Sequence, residues 1–277
     1  MGSSSPGEMP KIPIEGVENL IAVGSGKGGV GKTTVAVNLA IALRGLGYKV
    51  GLLDADVYGP NVPLMLGVSE IPYAVGNLIQ PIEKYGLRVM SMGFLNPGDK
   101  PLIWRGPMLH GVINQFLRQV EWGELDYLII DLPPGTGDVQ LSLIQTAPLT
   151  GAIVVTTPSE VSLEDGRKAV NMFKQVRVPI LGIVENMSYL ACPHCGEHID
   201  VFSRGGGART AVLMDVFFLG QLPLDPAVRE GGDSGDPVAL KDGSDPHSAP
   251  FHELARKTVD RVRETRSQPG FSLTVED

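Results

Sequence analysis

The sequence predicts an α/β protein built on a mostly parallel sheet with helices on both faces. Two observations carry that expectation. Short, continuously apolar runs recur along the 277 residues, each followed by a turn and a helix-spaced segment, which is the pattern of parallel strands buried on both sides. The polar residues capable of chemistry also stand at the ends of those runs: the Gly-rich stretch after residue 24, then Asp54 and Asp56, Asp131, and Asn186. Open sheets of this class bind ligands at the carboxyl ends of their strands.

Taken in order, NLIAVG (19–24) reads as the first strand and TVAVNLAIALRGLG (34–47) as a helix closed by Gly47. KVGLLDAD (49–56) is the next strand and ends in acids, LRVMSMG (87–93) is another, and GPMLHGVINQFLRQV (106–120) has helical spacing. DYLIIDLPPGTGD (126–138) starts as the most apolar strand and enters a Gly/Pro turn. GAIVVTTP (151–158) leads to a helix over 160–175, PILGIVENM (179–187) is a strand, and VFFLGQLPLD (216–225) is the last one. Residues 229–250, rich in Gly, Asp, Ser and Pro, read as an exposed loop, with a final helix over about 249–266. We expect a disordered segment over 1–17, a single domain over 18–266, and a flexible tail over 267–277.

Composition narrows the classes. A formal net charge of −8 gives no basic surplus for nucleic acid. Two cysteines cannot build a disulfide framework. The first residues lack the layout of a secretory signal, and no stretch approaches 18 uninterrupted apolar residues. These features predict a soluble, cytoplasmic protein with no stable membrane association.

Residues 26–33, GKGGVGKT, match the phosphate-binding pattern G-x-x-x-x-G-K-[ST], between an expected strand and an expected helix. Gly26, Gly28, Gly29 and Gly31 let the loop's N–H groups, those of Lys27 and Val30 included, converge on phosphate oxygens. The helix entered at Thr33 and Thr34 adds its positive N-terminus. Lys32 is placed to neutralise the outer phosphates of ATP and the Thr33 hydroxyl to hold Mg²⁺. The sequence thus predicts a P-loop NTPase. Asp131, closing YLIID, suits the position of a carboxylate on the Mg²⁺ side. Asp54 and Asp56 close the neighbouring strand, where one could position the attacking water and the other support the metal's outer shell, so that Thr33, Asp56 and Asp131 are the expected Mg²⁺ residues. Any one of these acids alone could be a helix cap or turn former.

Lys27 is a second lysine where one would serve. The string KGGVGKTT resembles the deviant Walker A, or signature-lysine, ATPases, the group of MinD, ParA and nitrogenase iron protein. That resemblance implies a homodimer in which Lys27 reaches the partner's nucleotide and stabilises charge in the transition state, as an arginine finger does. Taken without it, Lys27 is a solvated lysine. Within the group, LLDADVYGPNVPLMLG, WRGPM, WGELDYLIIDLPPGTGDVQLSL, ENMSYLACPHCG, FSRGGG and LGQLPLDPAVREGGDSGDPV resemble the Mrp/ApbC iron–sulfur carrier ATPases over about residues 18–265. The resemblance implies that Asp56 positions the hydrolytic water and that Asp131 opens a switch segment. It also implies that Asn186 contacts the adenine while LPLD (222–225) closes over it. Many relatives carry an accessory domain before the P-loop, or an N-terminal four-cysteine motif. Only about twenty residues precede the P-loop here, with no cysteine before Cys192.

Both cysteines lie in CPHCG, Cys192 and Cys195. C-x-x-C serves redox dithiols and half metal sites alike. The flanks read as a hairpin or extended turn rather than the helix start of a thioredoxin loop. Two thiolates cannot fill a four-coordinate site. Two copies facing each other supply four sulfurs, which suits either Zn²⁺ or an iron–sulfur cluster. The family resemblance selects an iron–sulfur cluster over zinc, bridging a dimer and delivered to apo iron–sulfur proteins, and four sulfurs suit the [4Fe–4S] kind. His194 and His198 are left out of the site. A spatial-positioning ATPase of the MinD/ParA kind and a zinc-stapled ATPase are the rival readings. The former would use FHELARKTVDRVRETR (251–266) on a membrane, whereas its acids suit a core-docking helix better. Trp104 and Trp122 are expected packing anchors, and Arg105 a neighbour of the nucleotide.

Overall fold

A computed structural model describes residues 12–95, 106–192 and 194–267. β1 (Val17–Gly24) enters the phosphate loop, and α1 (Lys32–Gly45) leaves it for β2 (Val50–Asp54) and the short α2 (Val62–Met65). A small hairpin follows, β3 (Tyr73–Val75) and β4 (Leu78–Gln80), then β5 (Ile82–Lys84), β6 (Leu87–Ser91) and α3 (Gly106–Arg118). β7 (Leu125–Asp131) and α4 (Asp138–Thr146) precede β8 (Gly151–Thr156), α5 (Glu160–Gln175) and β9 (Ile180–Glu185). The second hairpin pairs β10 (Leu190–Ala191) with β11 (His198–Ile199), and the chain ends with α6 (Gly206–Leu213), β12 (Phe218–Gln221), α7 (Pro226–Ser234) and α8 (Ala249–Ser267).

Eight strands form one sheet in the order β12-β9-β8-β1-β7-β2-β6-β5. Every neighbouring pair is parallel except β5 with β6. The strands are buried on both faces because their residues are apolar on both: Leu20 and Ala22 of β1 face one core, Ile21 and Val23 the other. α3, α4, α5 and α6 cover the first core and α1 and α8 the second. Phe251, Leu254, Ala255, Val259 and Val262 of α8 are buried in that second core, so the C-terminal helix docks on the sheet and keeps its charges outward. Trp122 is 1% exposed and donates from Nε1 to the Phe116 carbonyl at 2.9 Å, the anchoring role expected of it. Trp104 and Arg105 lie outside the described residues.

Two expectations need correction. Order begins before residue 18, since Ile14 is buried and accepts from the Val17 N–H at 3.1 Å. The segment 229–250 is not simply an exposed loop. Its first part belongs to α7, which is capped by Asp225, whose side chain accepts from Ala227 N, and stopped by Gly235 in the left-handed region. Val238 and Ala239 just after it are buried. Among the described residues no helix is long and apolar enough to cross a membrane.

Candidate nucleotide site and cysteine hairpin

The carboxyl ends of β1, β2, β7 and β9 converge on one cavity of about 640 Å³. The phosphate loop is its floor. Gly31 takes φ 79 at the N-cap of α1, and a methyl group there would lie 2.2 Å from Asn186 Nδ2. Gly26 is more constrained still, because a methyl group would sit 1.9 Å from the Asp165 carbonyl oxygen. The loop is therefore glycine-rich partly for the phosphates and partly because α5 and Asn186 press on it from behind. The Ser25 hydroxyl pins it by donating to the Lys27 carbonyl at 2.9 Å.

Lys32, the first residue of α1, points its ammonium into a nest of acids. Nζ lies 2.7 Å from Asp131 Oδ1 and 3.6 Å from Asp56 Oδ2, and all three residues are buried. The Thr33 hydroxyl donates to the other Asp131 oxygen at 2.7 Å. Asp54 and Asp131 are Cα partners across β2 and β7. Asp54 is fully buried, accepting from the Ser91 hydroxyl at 2.8 Å and from Val62 N and Asp56 N. Burial, with the Asp131 charge beside it, pushes the Asp54 carboxyl from 3.8 up to about 7, against the Ser91 and Asp56 donors and Lys32. Burial likewise raises Asp131, opposed by the Lys32 ammonium and the Thr33 hydroxyl. Asp56 faces Lys32 with one oxygen and with the other accepts from Tyr58 N at 3.1 Å, which orders the start of the segment after β2.

Lys27 lies half-exposed on the cavity wall and pairs with no carboxylate among the described residues. Gly28, Gly29, Val30 and Thr34 line the same cavity. At its far end Asn186 and Met187 face Pro223, Leu224 and Asp225, and Asn186 Nδ2 donates to the Val30 carbonyl at 2.9 Å. Val228, Arg229, Gly232 and Asp233 of α7 complete that wall. Reading the sequence missed them, although Asp225-Pro226 is a helix-start signal, a capping acid before proline at the first helical position.

Cys192 and Cys195 sit on the turn of the β10–β11 hairpin, both free, Cys195 exposed and Cys192 half-buried. The hairpin expectation holds. Cys192 N donates to the Glu197 carbonyl and Gly196 N to the Cys192 carbonyl, each at 2.8 Å, a tight turn that keeps the Cys195 thiol within hydrogen-bonding reach of Cys192. The His194 N–H, with the Cys195 N–H and thiol, holds the Cys192 thiol below its usual range. Among the described residues no third His, Cys, Asp or Glu joins the pair to make a metal-binding group.

The family described as NUBPL iron-transfer P-loop NTPase, of the ParA type, matches residues 16–259. The chain belongs to this family. As a NUBPL-type P-loop NTPase it is 49% identical over 259 residues to the iron–sulfur cluster carrier protein of Aquifex aeolicus, covering 92% of this chain and 70% of that one. It is 46% identical to the iron–sulfur cluster transfer protein NUBPL of Dictyostelium discoideum, covering 92% and 80%. A nucleotide-binding protein from Archaeoglobus fulgidus in complex with ADP superposes with a TM-score of 0.71 at 38% identity, covering 80% and 88%. The Mg-ADP complex of the septum site-determining protein MinD from Pyrococcus horikoshii gives 0.66 at 25% identity, covering 91% and 100%.

Proposed function

We propose that this chain is an ATP-hydrolysing iron–sulfur cluster carrier that works as a homodimer and delivers its cluster to apo-proteins. One observation carries the reading: a phosphate cradle and a hairpin bearing two free, adjacent thiols leave the carboxyl edge of one sheet in a chain of an iron-transfer family.

At the nucleotide, Lys32 exchanges its carboxylate partners for the β- and γ-phosphate oxygens. That exchange leaves Asp131 and the Thr33 hydroxyl, already 2.7 Å apart, as the groups that would hold Mg²⁺, which would offset charge on the phosphates. The adenine lies between Asn186 and the Pro223–Asp225 wall. Asp56 orients the water whose oxygen attacks the γ-phosphorus, while the bond from the γ-phosphorus to the bridging oxygen breaks and its electron pair leaves with ADP; the proton the water sheds passes to the released phosphate. Lys27, unpaired among the described residues, supplies positive charge to the partner's phosphates as negative charge develops on them. The absence of a third ligand near the thiols among the described residues favours a shared site, in which Cys192 and Cys195 of each copy together give four sulfurs to a [4Fe–4S] cargo.

Anaerobic reconstitution with iron and sulfide tests this. About two sulfur pairs per cluster, a dimer by sedimentation, and loss of the visible charge-transfer band in Cys192→Ala are expected. A band that survives that substitution, or zinc in place of iron in protein isolated anaerobically, overturns it.

A further inference from the structure

The nucleotide cavity and the cysteine hairpin share a root. At the end of β9 the Glu185 carboxylate is fully buried, and among the described residues no lysine or arginine pairs with it. Neutral donors hold it instead. Ser188 Oγ donates to Oε1 at 2.5 Å, Gln221 Nε2 donates to the same oxygen at 3.0 Å, and the Gly207 N–H at the start of α6 donates to Oε2. A buried carboxylate without a cation is costly to desolvate, so its three donors, from three separate segments, are held where it needs them.

Those segments lead to both sites. Asn186 and Met187, the next two residues, wall the cavity, and Met187 holds φ 55, the left-handed region that a side chain disfavours. Ser188 N then donates to the Leu222 carbonyl at 2.9 Å, and Leu224 N to the Tyr189 carbonyl at 2.7 Å. The wall at 222–225 and the hairpin's first residues are thus one hydrogen-bonded strip. The Tyr189 ring stacks on His198 with centroids 4.0 Å apart and planes at 17°, closing the hairpin three residues before Cys192.

We propose that Glu185 is a positioning residue through which an adenine nucleotide in the cavity sets the placement of Cys192 and Cys195. It rests on the carrier reading for the use of the thiols, but its physical claim concerns the thiols alone. A base against Asn186, Met187 and the 222–225 wall fixes the strip. Glu185 converts that into a fixed position of the hairpin root relative to β12 and α6. Without the carboxylate, the base still binds, but the root no longer follows it.

The test uses the full chain, reduced, anaerobic and free of iron. Alkylation of Cys192 and Cys195 by iodoacetamide is followed by peptide mass spectrometry, with and without saturating Mg-ADP or a non-hydrolysable ATP analogue. In the wild type the nucleotide is expected to change the alkylation rate by about threefold or more. In Glu185→Gln, ADP affinity is expected to stay within about threefold of wild type, while the nucleotide's effect on alkylation falls towards one. Ser188→Ala, which keeps the carboxylate and removes one donor, is expected to fall between, and it decides the matter if Glu185→Gln does not fold. A nucleotide effect preserved in full in the variants, or absent from the wild type, overturns the proposal. Because no iron is present, failure to bind a cluster would count against the carrier reading and not against this one.

Discussion

The Lys32 ammonium lies 2.7 Å from the Asp131 carboxylate with both side chains buried, so the phosphate-loop lysine also neutralises this acid, whose other oxygen accepts from the Thr33 hydroxyl. Removing the cation strands the acid. Lys32→Ala is therefore expected to abolish nucleotide binding and also to lower stability by about 3 kcal/mol, the usual cost of leaving half of a buried pair. Urea unfolding in the absence of nucleotide checks the second effect independently of the first. An unchanged midpoint would mean that Asp131 is already protonated in the empty site.

Lys27 makes the contrast. It is half-exposed and unpaired among the described residues, so Lys27→Ala is expected to leave stability within about 0.5 kcal/mol. Hydrolysis should nonetheless fall by about 10³-fold, as when an arginine finger is lost. Mixing Lys27→Ala with Asp56→Ala separates action across the dimer from action within the chain. One site of each mixed dimer then has its own Asp56 and its partner's Lys27, so about a quarter of wild-type activity should return. No recovery on mixing would place Lys27 at its own nucleotide.

Asp54 supplies a pH signature. Its carboxyl is raised from 3.8 to about 7 by burial and the neighbouring Asp131. The folded chain thus keeps a proton that the unfolded chain has released over that window, and stability falls as pH rises through it. The contribution is fully present below about pH 4 and lost above about pH 7. From pH 5 to pH 8 the wild type should lose about 2–3 kcal/mol relative to Asp54→Asn, which has no such group to ionise. Parallel pH profiles for the two proteins would rule this out.

The two thiols should not react alike. The His194 and Cys195 N–H groups and the Cys195 thiol lower the Cys192 thiol, so its thiolate forms at lower pH than that of an ordinary cysteine. Although Cys195 is the more exposed, Cys192 is expected to be alkylated with a half-maximum below the usual thiol range. Cys195→Ala, which removes one of the three donors, should shift that midpoint upward. Peptide mapping across a pH series reads both.

The phosphate floor was legible because its motif specifies backbone and side chains together: the spacing that puts Lys32 and Thr33 on the first turn of α1 also puts them over Asp131. The parallel sheet was legible from runs apolar on both faces. β5 was not, because three residues carry no period, nor was α4, which hides behind the Gly/Pro turn after Asp131. α7 was lost for a different reason. PAVREGGDS holds two glycines and the composition of a loop, and its helix depends on the Asp225 cap and on packing that includes Gly232 against Met65. Glu185 could not be singled out either, since Gln221 and Gly207 reach it from distant sequence.

That dependence on a cap gives the last prediction. Asp225 accepts from Ala227 N at 2.9 Å with one oxygen and holds His247 Nδ1 with the other at 2.5 Å, while α7 behind it forms one wall of the cavity. Asp225→Ala removes the cap, which costs about 1 kcal/mol and falls on the first turn of α7. If that turn shapes the adenine site, about 1 kcal/mol should appear as a roughly fivefold weaker affinity for ADP. Inorganic tripolyphosphate, which needs only the loop from Gly26 to Thr33, should bind as before. Titration calorimetry with both ligands makes the comparison. Equal weakening of the two would assign the loss to the phosphate floor rather than to the base, and equal retention would show that α7 does not shape the adenine site.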